Sequence, residues 1–151
     1  MAYTATKNWK AGSSMVSTDF DTYVSANMDV ANQQHLEFIV TSLATGAATA
    51  RWIAPYPLTV NGAHLGAGTA STTGSVVLDI LKSTNSTAAA VTLFTSSSEL
   101  PTLTSGKTET TSFTAPDVTS VASGDVLTVA CVTKGSAAVA DVSLIISMSG
   151  A

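Results

Sequence analysis

The sequence predicts a mainly β domain, an antiparallel β-sandwich of jelly-roll-like type, preceded by an extended N-terminal arm and one short α-helix. Three observations support this fold class. Apolar and polar residues alternate along several segments after residue 34, which is the period of a half-buried strand. Clusters of Gly, Ser, Thr, Asn and Pro separate these segments at short intervals, as in sandwiches and barrels. After residue 34 no segment has the spacing of an amphipathic helix.

The composition agrees with a β-rich chain that has an uncharged surface. A chain of 151 residues is the size of one domain. Thr, Ser and Ala supply 67 of its residues, and charged residues are only 11%, against about 25% in ordinary soluble domains. The surface is therefore expected to consist mainly of hydroxyl and methyl groups, and the chain to be part of a larger assembly.

Charge and hydropathy argue against several classes of protein. A net charge of −4, with five Lys and one Arg, gives no basic surface for nucleic acid or anionic lipid. No run of 18 apolar residues is present, so no membrane span is expected. The first residues have no basic region followed by an apolar stretch, so no secretory signal is expected either. The single cysteine, Cys131, cannot form an internal disulfide, and we expect it to be a buried strand residue.

The N-terminal segment, residues 1–34, differs from the rest of the chain. Residues 1–16 are mostly small and polar and show neither the period of a helix nor that of a strand, which predicts an extended arm. Thr18 followed by Asp21 has the spacing of a capping box, and a helix is predicted over 18–32. One face of this helix carries Phe20, Tyr23, Val24, Asn27, Met28 and Ala31. The predicted division is therefore an arm and helix over 1–34 and a β-sandwich over 35–151.

Eight strands are predicted in the β domain, the number in a jelly roll. The clearest is the alternation of Ala140, Val142, Leu144, Ile146 and Met148 with mostly polar neighbours. The predicted strands lie near 36–41, 49–54, 58–65, 75–82, 89–95, 108–114, 125–133 and 140–148. Strands 75–82 and 125–133 are apolar on both faces, so their second face is covered either by a loop or the arm, or by another subunit.

Candidate catalytic and metal-binding residues form no pattern. His35 and His64 are 29 residues apart and stand beside no Cys, unlike the spaced ligands of a metal site. No Gly-x-Ser-x-Gly motif is present, and no two of the ten acidic residues are singled out as a glycosidase pair. We therefore expect no enzyme, no cofactor and no metal.

Aromatic residues are the remaining candidates for binding. Trp52 and Tyr56 flank Pro55 and Pro57, where a sugar ring would be able to stack. The alternative is a role in the core or in a protein interface, where Trp and Tyr are common anchors. Together with Trp9 of the arm, these two residues are the predicted partner-binding residues.

The N-terminal segment resembles a pattern found in tailed-bacteriophage virion proteins. The likeness runs through Asn8-Trp9-Lys10-Ala11-Gly12, then Val16-Ser17-Thr18-Asp19-Phe20-Asp21-Thr22-Tyr23-Val24, then Asn27-Met28, with Asp21 in place of the usual Asn. The later stretch, from Ala54-Pro55 through Ser75-Val76-Val77-Leu78-Asp79-Ile80 to Gly124-Asp125-Val126-Leu127-Thr128-Val129, is similar to small β-sandwich virion proteins of phages.

This resemblance implies a structural protein of the virion, most simply a capsid decoration (cement) protein on the head surface, made in the host cytoplasm. It implies two partners: other copies of the chain, in a homotrimer, and the major capsid protein. The alternative is a head- or tail-appendage protein that binds host-surface glycans, and a virion hydrolase is a third hypothesis. Neither nucleic acid nor membrane is an expected partner.

Overall fold

The computed structural model describes residues 33–40, 43–46, 48–84, 88–110, 114–136 and 139–151. The predicted arm over 1–16, with Trp9, and the predicted helix over 18–32 lie outside the described residues. Within the rest, His35–Ala151 form one compact unit.

The described chain is mainly β, and its strands range from two residues to twelve. The strands are β1 (Gln33–Val40), β2 (Ala48–Ile53), β3 (Leu58–Thr69), β4 (Val76–Ser83), β5 (Val91–Thr92), β6 (Thr102–Leu103), β7 (Ser120–Val121), β8 (Val126–Lys134) and β9 (Ala140–Gly150). A single turn of 3-10 helix, Ser97–Glu99, lies between β5 and β6. Its N-cap is Ser96, whose side chain accepts a hydrogen bond from the backbone N–H of Ser98.

The strands form two antiparallel sheets. The four-stranded sheet has the order β1-β9-β3-β7. The five-stranded sheet has the order β2-β8-β4-β5, and β6 also pairs with β4. The sheets include a curled half-barrel. One buried cluster takes side chains from both sheets, with Leu65 and Leu144 from the four-stranded sheet and Leu78 and Val129 from the five-stranded sheet.

Alternation along the strands puts the apolar residues into this core. In β9, Val142, Leu144, Ile146 and Met148 are buried, as the sequence predicts. In β3 the buried set changes phase, because a register shift between Val60 and Gly62 leaves Asn61 as an extra residue. A bulge of this kind moves the following side chains to the opposite face. Val60 and Ala63 are therefore both buried, although they are three residues apart.

Two predicted strands are wrong in extent. The predicted strand 89–95 is reduced to Val91–Thr92 in β5, and the alternation ends there, since the next two residues, Leu93 and Phe94, are both buried. The predicted strand 108–114 has only isolated bridges in its described part. Glu109 pairs with Gly66, and Thr114 pairs with Ala63, so this segment follows the edge of β3 without a continuous ladder. Two-residue strands such as β6 and β7 carry too little alternation to be recognised from sequence.

The first strand starts slightly earlier than predicted. β1 begins at Gln33, three residues before the predicted strand near 36–41. Gln33 and Gln34 are polar and lie ahead of the alternating apolar residues, so they give no strand signal of their own.

Candidate functional site

The structure separates the two described aromatic candidates. Trp52 lies in β2 opposite Leu127 of β8, and it is a partly buried residue that packs against the core. Tyr56 lies in the connection between β2 and β3 and is 42% exposed. Trp52 therefore packs with the core while Tyr56 is open to solvent, and the third candidate, Trp9, lies outside the described residues.

A surface suited to binding lies on the side of the five-stranded sheet that faces away from the core, which we call the outer face. The core side of this sheet carries Ala50 and Trp52 of β2, three buried residues of β4 and three of β8. Because side chains alternate along a strand, the residues between them point outward. The outer face consists of Arg51, Ile53, Val77, Asp79, Leu81, Thr128 and Ala130, whereas Val126, which alternates in phase with them, is buried.

The strand registers bring these outer-face residues into adjacent rows. Arg51, Thr128 and Leu81 form one row across β2, β8 and β4. Ile53 lies opposite Val126 in the row beside it, and Ile53 is 57% exposed. The outer face is thus largely apolar and methyl-bearing, as the sequence predicts for β4 and β8.

One carboxylate stands within the outer face. Asp79 of β4 is half-buried and lies opposite Ala130 of β8. Its Oδ1 accepts a hydrogen bond from Thr92 Oγ1 at 2.6 Å. Burial raises the pKa of Asp79, and the hydrogen bonds from Thr92 and from the backbone N–H of Ile80 oppose that rise. The sequence gives no signal for this environment, because Asp79 stands there simply as a polar residue in an alternating strand.

The two histidines lie on different strands of the described structure. His35 is an exposed residue of β1. His64 lies in β3, with its Nδ1 2.9 Å from Thr110 Oγ1. Thr110 Oγ1 also accepts a hydrogen bond from the backbone N–H of Leu65 at 3.1 Å. Thr110 thus ties its loop to β3, and within the described ranges no three His, Cys, Asp or Glu residues are grouped so as to hold a metal ion.

The prediction for Cys131 is confirmed. Its thiol is buried in β8, where it lies opposite Leu78 of β4. Burial raises the pKa of the Cys131 thiol, and the charge of Lys134 opposes that rise. A buried, protonated thiol is a poor nucleophile, so Cys131 acts as a core side chain.

A further acid, Asp117, has the opposite environment. It is exposed, and its Oδ2 accepts hydrogen bonds from the backbone N–H of Thr95 at 2.6 Å and from Thr95 Oγ1 at 2.9 Å. These two bonds are the main reason why the pKa of Asp117 is lowered. They join the chain that follows β5 to the chain that precedes β7, so the role of Asp117 is to hold two loops together.

Comparison with known proteins finds no match among family models, curated proteins or solved structures. In the part of the chain that the structure describes, no helix has the length and apolar character needed to cross a membrane. Among the described residues, the outer face is the surface best suited to an interaction, because it places apolar side chains next to one cation and one carboxylate.

Proposed function

We propose that this chain is a structural protein of a tailed-phage virion, most simply a capsid decoration (cement) protein that binds the head surface. Its β domain is a sandwich of the jelly-roll type. The other expected partners follow from this role: further copies of the chain, in a homotrimer, and the major capsid protein.

The observation that carries the proposal is the order of the strands. Successive strands change sheet at most connections: β1 to β2, β2 to β3, β3 to β4, β6 to β7, β7 to β8 and β8 to β9. Only β4 and β5 follow one another within one sheet as paired neighbours. Two antiparallel sheets connected in this way support a jelly roll, an architecture common in viral capsid and lectin domains. Because a fold hosts many functions, the choice between these two depends on the surface.

The surface favours a protein-binding role over a sugar-binding role. A sugar platform needs an exposed aromatic ring with polar groups around it, and Trp52 instead packs against the core. The outer face offers apolar area next to two charges, which is the composition of a protein interface. Such a surface fits a chain that assembles on a lattice of other subunits.

The test is the position of the protein on the virion. Gold-labelled antibody against the purified chain should mark the whole head lattice of the phage that encodes it. Purified chain should also bind heads assembled without it, and the bound amount should saturate at a fixed ratio to the major capsid protein. Labelling confined to the tail, or no binding to such heads, would contradict a decoration role.

The second candidate is an appendage that binds host-surface glycans, and Tyr56 is the observation that keeps it open. This ring is exposed between Pro55 and Pro57, and an exposed aromatic ring is able to stack on a sugar. A glycan array probed with the wild-type chain and with Tyr56→Ala tests this role. Binding that Tyr56→Ala abolishes would favour the appendage, while a blank array with the wild type would remove its support.

The N-terminal arm has its own test, based on the sequence. Trp9 is predicted to contact a neighbouring subunit, so deleting residues 1–16 should weaken attachment to heads and leave the β domain folded, because the sequence predicts no strand in that segment. Buried Trp contacts in interfaces are often worth roughly 2 kcal/mol or more. A truncated chain that coats heads as tightly as the full chain would contradict the predicted role of the arm.

A further inference from the structure

The outer face carries one residue of each charge. Arg51 is exposed on β2, and Asp79 is half-buried on β4. In the strand registers they lie two strands apart and one row apart, which corresponds to about 12 Å between their Cα atoms. The two charged side chains are therefore separated on the face. Ala130 lies opposite Asp79, and Leu81 lies in the same row as Arg51.

The carboxylate of Asp79 has no cation among the partners that the described residues supply. Its partners among these residues are Thr92 Oγ1 and the backbone N–H of Ile80, both uncharged. A partner that covered this face would remove water from both charged groups, which is costly unless each of them gains an opposite charge. The covering surface must therefore be apolar and must carry one cation and one carboxylate at matching positions.

The outer face itself meets these requirements for a covering surface. It offers apolar area through Ile53, Val77 and Leu81, a guanidinium at Arg51 and a carboxylate at Asp79. We propose that the outer face binds the same face of a second copy of this chain about a two-fold axis, with Arg51 of each copy placed against Asp79 of the other. The planar guanidinium fits a carboxylate through two parallel hydrogen bonds. The inference goes beyond the proposed function: a face that binds itself closes into a two-fold pair, so this contact is additional to the one that would build the homotrimer.

A charge-reversal experiment tests the pairing. Sedimentation velocity at micromolar concentration is run on the wild type, Arg51→Asp, Asp79→Arg and the double variant. The wild type should be associated, each single variant should raise the dissociation constant at least about tenfold, and the double variant should recover most of that loss. Lys107→Glu, in an exposed turn, is the control for net charge and should leave association unchanged. A monomeric wild type, or a double variant no better than either single variant, would overturn the proposal.

A cross-linking experiment tests the contact without reversing a charge. On a Cys131→Ala background, Arg51→Cys and Asp79→Cys chains are prepared separately, checked by circular dichroism, and mixed under mild oxidation. The mixture should form the mixed disulfide faster than either chain alone forms a disulfide with itself. Equal rates in all three samples would overturn the proposal even where Asp79→Arg fails to fold.

Failure of the Arg51–Asp79 pairing can be distinguished from failure of the proposed function. If the chain marks phage heads but neither experiment shows the pair, the residue pair is wrong and the decoration role stands. If the pair forms but the chain is absent from the head, the self-association stands and the decoration role is wrong.

Discussion

The Oγ atom of Ser71 accepts a hydrogen bond from the backbone N–H of Ser136 at 2.8 Å. Ser71 is almost fully buried, and the same Oγ donates a hydrogen bond to the carbonyl of Thr73 at 2.8 Å. The carbonyl of Ser71 in turn accepts a hydrogen bond from the backbone N–H of Gly106 at 2.8 Å. Ser71, which precedes β4, therefore joins by itself the turn after β6 and the turn after β8.

Removing this hydroxyl should destabilise the fold. Ser71→Ala leaves the backbone N–H of Ser136 without its acceptor, and an unsatisfied buried polar group costs about 1–3 kcal/mol. The measurement is the free energy of unfolding from urea titration. Ser97→Ala, at an exposed position, is the matched control and should stay within about 0.5 kcal/mol of the wild type. Equal losses in the two variants would show that the Ser71 contacts contribute nothing.

Gly135 should tolerate no side chain, for two separate reasons. Its φ is +66°, which disfavours any L side chain, and an added Cβ would contact Ser71, with Cβ of Ser71 3.0 Å away. Gly46 has a φ of +79° and nothing within 4 Å of an added Cβ, so Gly46→Ala measures the backbone cost alone, about 1–2 kcal/mol. Gly135→Ala should lose more free energy of unfolding than Gly46→Ala. A smaller loss at Gly135 would contradict the steric account.

The two changes at this junction should not be additive. Ser71→Ala removes the Oγ atom that lies nearest to the added Cβ at Gly135, so part of the steric cost disappears in the double variant. Residues in direct contact commonly show coupling of about 0.5–3 kcal/mol in double-mutant cycles. The loss in the double variant should therefore be smaller than the sum of the two single losses. Additivity within error would show that Gly135 is constrained by its backbone only.

The thiol of Cys131 should react slowly in the folded protein. Burial both blocks access and raises its pKa, so little thiolate is available at mildly alkaline pH. Labelling with iodoacetamide, followed by mass spectrometry, should be roughly tenfold or more slower in buffer than in strong urea. Cys131→Ala is the control for labelling elsewhere. Rapid labelling of the native chain would place the thiol at the surface.

Asp117 should stabilise the protein more at neutral pH than in acid. Its carboxylate accepts two hydrogen bonds from Thr95, and its pKa in the folded chain is lowered. For a carboxyl group with a lowered folded-state pKa, the stabilisation is present above the unfolded-state pKa and is lost as the pH falls through the folded-state value. The difference in free energy of unfolding between the wild type and Asp117→Asn should therefore shrink from about pH 7 to about pH 3. A difference that is independent of pH would rule out this role for the charge.

Local alternation was sufficient to predict the long strands. In β9 and β4 each second residue is apolar, and those residues are buried, because a strand presents successive side chains to opposite faces. The resulting class, mainly antiparallel β, and the buried position of Cys131 followed from the sequence alone. The apolar residues on the second side of β4 and β8 likewise predicted a second surface that is suited to contact.

Tertiary structure decided the features that depend on partners distant in the chain. The bulge at Asn61 changes the phase of β3, and it is set by the pairing with β9. The junction at Ser71 joins turns that lie more than 30 residues apart, so no local pattern marks it. Arg51 and Asp79 share a face only because β8 pairs with both β2 and β4. Strand pairing, a property of the whole chain, therefore placed the candidate binding surface, while local alternation determined which side chains are available to form it.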